Sequence, residues 1–155
     1  MKLQIYTDGS ARDNGTNHSI GAWGYVIVFN GEVSGKDCGI EHGATNQQME
    51  LEACIRACEK VEPMVMPFDE IEIITDSAYV YNCATQRWYD KWEHNGWYTS
   101  ARSPVANKER WQRLIPYFHK FEYNFRKTKG HATDKFNCMV DEMVQNATLK
   151  EKNKC

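Results

Sequence analysis

The stretch Ile5-Tyr6-Thr7-Asp8-Gly9-Ser10 is a short apolar run that ends in an acid. Leu3 and Ile5 alternate with Lys2, Gln4 and Tyr6, so residues 2–8 read as a half-buried strand. Asp8 falls at the end of that strand, where Gly9 frees the chain to turn. An acid in this place either satisfies the backbone N–H groups of the turn, as Asp often does, or joins other carboxylates around a metal ion.

A chain of 155 residues is long enough for one domain with a real core. The longest apolar run, around Tyr25 to Phe29, is strand-sized and cannot span a bilayer, and no signal-peptide pattern precedes the first strand. None of the six cysteines stands in a Cys-x-x-Cys pair, which argues against zinc and for reduced thiols in a cytosolic protein. The charge is unevenly divided. Residues 1–76 carry 13 acids and 5 bases, residues 77–155 carry 8 acids and 14 bases, and the balances of −8 and +6 combine to −2. An acidic half joined to a basic half suits a protein that holds cations at one place and polyanions at another.

After a loop from Ala11 to Ile20, a second strand runs from Gly21 to Phe29, and Asn30-Gly31 marks a hairpin into a third from about Glu32 to Ile40. These three strands are expected to pair antiparallel. Thr45 or Asn46 can cap a helix from Gln47 to about Val61, with Leu51, Cys54, Ile55 and Cys58 on one face. Glu70 to Thr75 reads as a strand entering the centre of a mixed sheet, and it too stops in an acid, Asp76. Short helices from Ser77 to about Trp92, a helix from Lys108 to about His119 despite Pro116, and a strand from Glu122 to Thr128 follow. A loop from Lys129 to Thr133 leads into a last helix from Asp134 to about Ala147. The pattern is an α/β architecture of five strands flanked by helices, one domain over 1–147 with a frayed polar tail at 148–155.

Two of the strands end in matching contexts, Thr-Asp-Gly-Ser and Thr-Asp-Ser-Ala, so parallel neighbours would set Asp8 and Asp76 at one sheet edge. Glu50 lies near the start of the first helix between Met49 and Leu51, and Asp141 sits amid Met139, Val140, Met143 and Val144; neither reads as a fully solvated acid. Glu52 reads as the surface acid of the first helix. Each of these acids has a plainer reading as a helix cap or ion-pair partner. Gathered carboxylates resist ionising without a cation, and oxygen donors without a Cys or His cluster point to Mg²⁺ or Mn²⁺. Two such ions about 4 Å apart are the usual device for in-line attack on a phosphodiester.

The motifs Tyr6-Thr7-Asp8-Gly9-Ser10, Thr45-Asn46-Gln47-Gln48-Met49-Glu50-Leu51, Thr75-Asp76-Ser77-Ala78-Tyr79-Val80 and Lys129-Gly130-His131-Ala132 occur in order, with Asp141-Glu142 ten residues beyond His131. Together they resemble type-1 ribonuclease H of the single-domain bacterial or phage kind, over roughly residues 2–147. The resemblance implies a ribonuclease H-like fold, a five-stranded mixed sheet with the first three strands antiparallel, flanked by helices. It implies hydrolysis of the RNA strand of an RNA–DNA hybrid to 5′-phosphate and 3′-hydroxyl ends, by a cytoplasmic monomer with no membrane partner. Asp8 would then bridge two Mg²⁺ ions, which Mn²⁺ can replace, with Glu50 and Asp76 on the first ion, Asp141 on the second and His131 transferring protons. Asn14, Asn46 and Gln47 match positions that read the minor groove, and Thr45 a hydroxyl on a DNA-strand phosphate. Trp88, Trp92 and Trp97, with Arg87, Lys91 and Arg102, resemble a protruding handle that clasps the DNA strand, although Trp92 reads equally well as packing beneath it.

The sequence departs from the family pattern at several places. Residues 86–113 hold six bases and three acids, a mild handle, and Gly43 stands where many relatives carry an Arg. The loop Ala11-Arg12-Asp13-Asn14-Gly15-Thr16 replaces a glycine- and proline-rich one, and Ala78 follows Asp76-Ser77 where a polar group is common. Two other readings share these motifs: a hybrid-binding module without catalysis, whose mark would be a missing carboxylate, and a DNA-cutting resolvase or integrase on the same scaffold.

Overall fold

The computed structural model describes residues 2–65, 70–120, 123–128 and 134–154. Among them, strands β1 (Lys2–Arg12), β2 (Ile20–Phe29), β3 (Glu32–His42), β4 (Glu70–Thr75) and β5 (Tyr123–Lys127) form one sheet in the order β3-β2-β1-β4-β5. The first three pair antiparallel, and β4 and β5 are parallel to β1, as the hairpin signal and the buried run at Ile73-Ile74 imply. The helices are α1 (Asn46–Val61), α2 (Ala78–Thr85), α3 (Trp88–His94), α4 (Lys108–Lys120) and α5 (Lys135–Lys152).

Strand alternation divides the core into two layers. Leu3, Ile5, Tyr25 and Ile27 pack in one cluster with Leu51, Cys54, Ile55 and Cys58 of α1 and Trp111 and Leu114 of α4. Tyr6, Val26, Val28 and Ile74 turn to the other face and meet Val140 of α5. The sheet is therefore covered on both sides. Among the described residues Cys54, Cys58 and Cys83 are buried, Cys38 and Cys138 are exposed, and none is in a disulfide. Among the described residues no helix is long and apolar enough to cross a membrane.

Three expectations change. First, β1 does not end at Asp8. It continues pairing with β2 to Arg12, so Gly9 lies within a strand and makes no turn. Its missing side chain serves close approach instead: a Cβ at Gly9 would lie 2.2 Å from the Met49 carbonyl carbon and 2.4 Å from the Glu50 nitrogen. Gly24, opposite Asp8 in the β1–β2 register, does the same on the other face, where a Cβ would lie 3.0 Å from Val144 Cγ2 of α5. Two glycines let a helix on each face press against the strand that carries Asp8.

Second, Glu52 is not a surface acid. It is 1% exposed, and its carboxylate accepts from Arg56 Nε (2.7 Å), Arg113 Nη1 (2.8 Å) and Arg110 Nε (3.3 Å), while Arg110 also reaches Glu41. The network ties α1 to α4 and to the end of β3. Third, the chain does not fray at Thr148. The apolar stripe Val140, Val144 carries on to Thr148, which is fully buried and whose hydroxyl accepts from Arg12 Nε (2.9 Å), so α5 persists to Lys152.

The packing at Gly9 gives a direct test. Gly9→Ala forces backbone against backbone, which a flexible side chain could not relieve, so it should destabilise the fold by about 3 kcal/mol, the upper end for overpacking. Urea unfolding followed by circular dichroism measures it. A change below about 0.5 kcal/mol would show that α1 does not bear on β1 there.

Candidate active site

The parallel pairing of β1 with β4 runs to Tyr6 opposite Ile74, and each strand carries an acid two residues further on, Asp8 and Asp76. Beyond that point the two strands part, opening the crevice at their C-terminal ends where ligands of such sheets bind. Asp8 shares the α5 face of the sheet with Tyr6, so Asp141 on α5 comes close enough for its charge to act on the Asp8 carboxyl. Glu50 arrives from the opposite layer, carried by the first turns of α1 pressed onto Gly9.

Ser77, which the sequence reading passed over, fixes Glu50. Its hydroxyl donates to Glu50 Oε2 (2.6 Å) and accepts from the Val80 N–H (3.1 Å), so the cap of α2 and the orientation of Glu50 depend on one oxygen. The Ser77 N–H in turn donates to Thr75 Oγ1 (3.0 Å). The signal was present in the order Thr-Asp-Ser, where a Ser before a helix reads as its cap.

The electrostatics are those of acids crowded without a counter-charge. Burial, then the charges of Asp76 and Asp141, push the Asp8 carboxyl up to about 8, against a hydrogen bond from the Gly9 N–H. Burial and the Asp76 charge raise Glu50 against the Ser77 bond. Asp76 is raised by burial and by Asp141, while the Lys127 ammonium pulls it down. Among the described residues no three His, Cys, Asp or Glu side chains stand close enough together to hold an ion unaided. The acids instead couple through Asp8 and Asp76. The donors are all oxygens, which suits a hard divalent cation whose shell is completed by water and substrate oxygens.

Around this cluster the candidate substrate residues fall into two groups. Thr45 caps α1 in a reciprocal box with Gln48 (3.1 and 3.0 Å), leaving its own O–H free to donate. The Asn46 N–H donates to Asn14 Oδ1 (2.9 Å), and the Ala11 N–H donates to Asn46 Oδ1 (2.6 Å). Both amide oxygens are thus held by backbone N–H groups, which leaves the NH₂ groups of exposed Asn14 and half-buried Asn46 as donors beside the exposed Gln47. The second group is the segment around α3. Trp88 is 39% exposed and donates to Gln86, whereas Trp97 is half-buried against Trp92, which packs edge-on to Trp111 (5.5 Å). Trp92 therefore belongs to the core. Arg87 is engaged by Asp90 (2.7 Å), Lys91 is exposed, and Tyr98, 51% exposed, is an aromatic surface the sequence reading missed. His131 lies outside the described residues.

The RNase H family model matches residues 1–148. A protein named Ribonuclease H from Clostridium botulinum is 39% identical over 147 residues, 94% of this chain and 95% of that protein. Another of that name from Syntrophomonas wolfei is 37% identical over 146 residues, 94% of this chain and 95% of that protein. Among solved structures, LC11-RNase H1 in complex with an RNA/DNA hybrid superposes with a TM-score of 0.71 at 22% identity, covering 96% of this chain and 98% of that one.

The raised Asp8 pKa fixes the sign of a pH effect. A carboxyl near 8 when folded and about 3.9 when unfolded holds its proton longer in the folded state. Its contribution to stability is complete below about pH 4 and is lost as pH rises through about 8. In metal-free buffer the protein should therefore weaken between about pH 5 and pH 8. Asp8→Asn should remove most of that slope and gain about 1–3 kcal/mol at the upper end. Thermal unfolding of both proteins across this range measures it. A variant less stable than the parent at pH 8 would make Asp8 a structural residue.

Proposed function

The chain belongs to the ribonuclease H family, and we propose that it hydrolyses the RNA strand of RNA–DNA hybrids at the site formed by Asp8, Glu50, Asp76 and Asp141. The reading is carried by one observation. Four acids from β1, α1, β4 and α5, in the family's order, act on one another, Asp8 with Asp76 and Asp141 and Glu50 with Asp76, with too little positive charge to balance them. An endoribonuclease of this kind leaves 5′-phosphate and 3′-hydroxyl ends.

Ribonucleases H depend on divalent metal ions, and the oxygen-only donor set favours Mg²⁺, with Mn²⁺ able to substitute. Asp8, Glu50 and Asp76 would hold one ion and Asp8 with Asp141 a second. Bound there, such ions neutralise the acids, polarise the attacking water and steady the leaving oxygen. Supporting this reading, the Ser77 hydroxyl fixes the direction of Glu50, and Gly9 and Gly24 let α1 and α5 approach the strands beside Asp8. His131 would carry the proton to or from the reacting oxygens, a task that an imidazole, which exchanges protons near neutral pH, is suited to.

The NH₂ groups of Asn14 and Asn46, with Gln47, supply donors for acceptor atoms of the minor groove and for 2′-hydroxyls, and the Thr45 hydroxyl can donate to a phosphate of the DNA strand. Trp88 and Lys91 offer an open ring and a cation for that strand. Arg87 contributes only as far as it leaves Asp90, and Trp97 supports Trp92 from below. The enzyme acts as a cytoplasmic monomer over one catalytic domain.

The decisive assay offers labelled RNA–DNA hybrid, double-stranded RNA and double-stranded DNA, with Mg²⁺ and then with chelator. The expected outcome is cleavage of the hybrid's RNA strand alone, lost in chelator and abolished by Asp8→Asn. Cleavage of the DNA duplex, or hybrid cleavage indifferent to chelator, would overturn the reading. His131→Ala should slow hybrid cleavage about a hundredfold, the low end for losing a general acid–base group. An unchanged single-turnover rate would remove that residue from the mechanism.

A further inference from the structure

β5 is paired to β4 as far as Lys127 opposite Thr75, and the next N–H, that of Thr128, donates to the Thr75 carbonyl (2.9 Å). The end of β5 is thereby stapled to the residue immediately before Asp76. The two cations at this end differ. Arg126 is engaged by Glu72 (3.5 Å) and Asp134 (3.9 Å), whereas Lys127 is exposed and joins no ion pair among the described residues.

We propose that Lys127 binds a backbone phosphate of the hybrid beside the cleavage site, an assignment that rests on the hybrid-cleavage reading above. The register sets its Cα across from Thr75, on the open C-terminal side of the sheet where Asp76 stands. Its charge is felt at Asp76, yet no carboxylate oxygen lies within ion-pair distance of its ammonium among the described residues. A lysine so placed is a point charge on a flexible stem, available to a phosphate and unsuited to reading a base edge in a fixed plane. With no ion-pair partner among the described residues, the ammonium is available to a phosphate of a duplex seated at this end of the sheet.

Counterion release distinguishes this role from a structural one. Equilibrium binding of a fluorescent RNA–DNA hybrid is measured with Mg²⁺ between about 50 and 200 mM salt, in an Asp8→Asn background so that no cleavage intervenes, and steady-state kinetics follow in the otherwise unaltered enzyme. Lys127→Gln should weaken binding about fivefold and reduce the steepness of log K against log salt by about 0.9, one phosphate contact. The loss should fall on KM more than on kcat, and Lys127→Arg should restore both affinity and slope. An unchanged slope in Lys127→Gln, or failure of Lys127→Arg to restore it, overturns the assignment. Hybrid bound with a Lys127-dependent slope but never cleaved by the unaltered enzyme would support Lys127 while refuting the cleavage reading. Failure to bind hybrid at all would refute both.

Discussion

The site exists because two helices are allowed unusually close to one strand. At Gly9 the backbone of α1 occupies the volume a side chain would need, and at Gly24 the valines of α5 do the same from the other face. Asp8 lies between these contacts, opposite Gly24 and one residue before Gly9. Its neighbours are therefore delivered by the core. Met49, Leu51 and Ile55 are fully buried beside Glu50, and Val140 and Val144 beside Asp141. Burying each such side chain contributes about 1.5–3 kcal/mol, enough in sum to offset acids that repel one another. Relaxing the acids apart would require unpacking the helices, so the crowding is held in place.

Two glutamates on the same helix show how environment divides roles. Burial pushes Glu52 up, but hydrogen bonds from Arg56 and Arg113 outweigh it and hold its carboxyl below the usual range. Glu50, two residues earlier, meets a serine and an aspartate and is raised. A buried acid that must stay charged as part of the frame is given arginines. Glu50, which we propose holds a cation, instead meets a hydroxyl that fixes its direction without neutralising it. Removing one member of the Glu52 network would leave charge uncompensated between α1 and α4, so that acid belongs to the frame of the site and not to its chemistry.

The fold was largely legible in the sequence because its signals are local. Alternation marked the strands, Asn30-Gly31 the hairpin, and the apolar stripe of residues 47–61 the first helix. The errors share one cause, which is partners distant in the chain. Gly9 looks like a turn until α1 is set against it, some 40 residues on. Glu52 looks solvated until Arg110 and Arg113, separated from it by 58 and 61 positions, fold back over α1. The polar tail hides a stripe that continues to Thr148 only because Arg12, 136 positions away, meets it. The motif contexts single out Asp8, Glu50, Asp76 and Asp141 and lead one to expect crowded acids, but which acid acts on which, Asp8 with Asp76 and Asp141 and Glu50 with Asp76, is visible only in three dimensions.

A mildly basic surface around α3 changes how a duplex would be held. Arg87 is engaged by Asp90, and Arg110 and Arg113 by Glu52 of α1, so the segment's formal charge overstates its free charge. Besides Lys127, the groups beside the acids are neutral donors: Asn14 and Asn46, whose oxygens the backbone holds, and the hydroxyl of Thr45, the N-cap of α1. Neutral hydrogen bonds release no counterions, so their contribution changes little with salt, whereas each lysine or arginine on a phosphate loses value as salt rises. Donors locked in orientation also lose little freedom on binding. Under the proposed function, recognition built in this way would favour the shape and 2′-hydroxyls of a hybrid's minor groove over polyanions in general, and an acidic chain would select a nucleic acid without a strongly basic face.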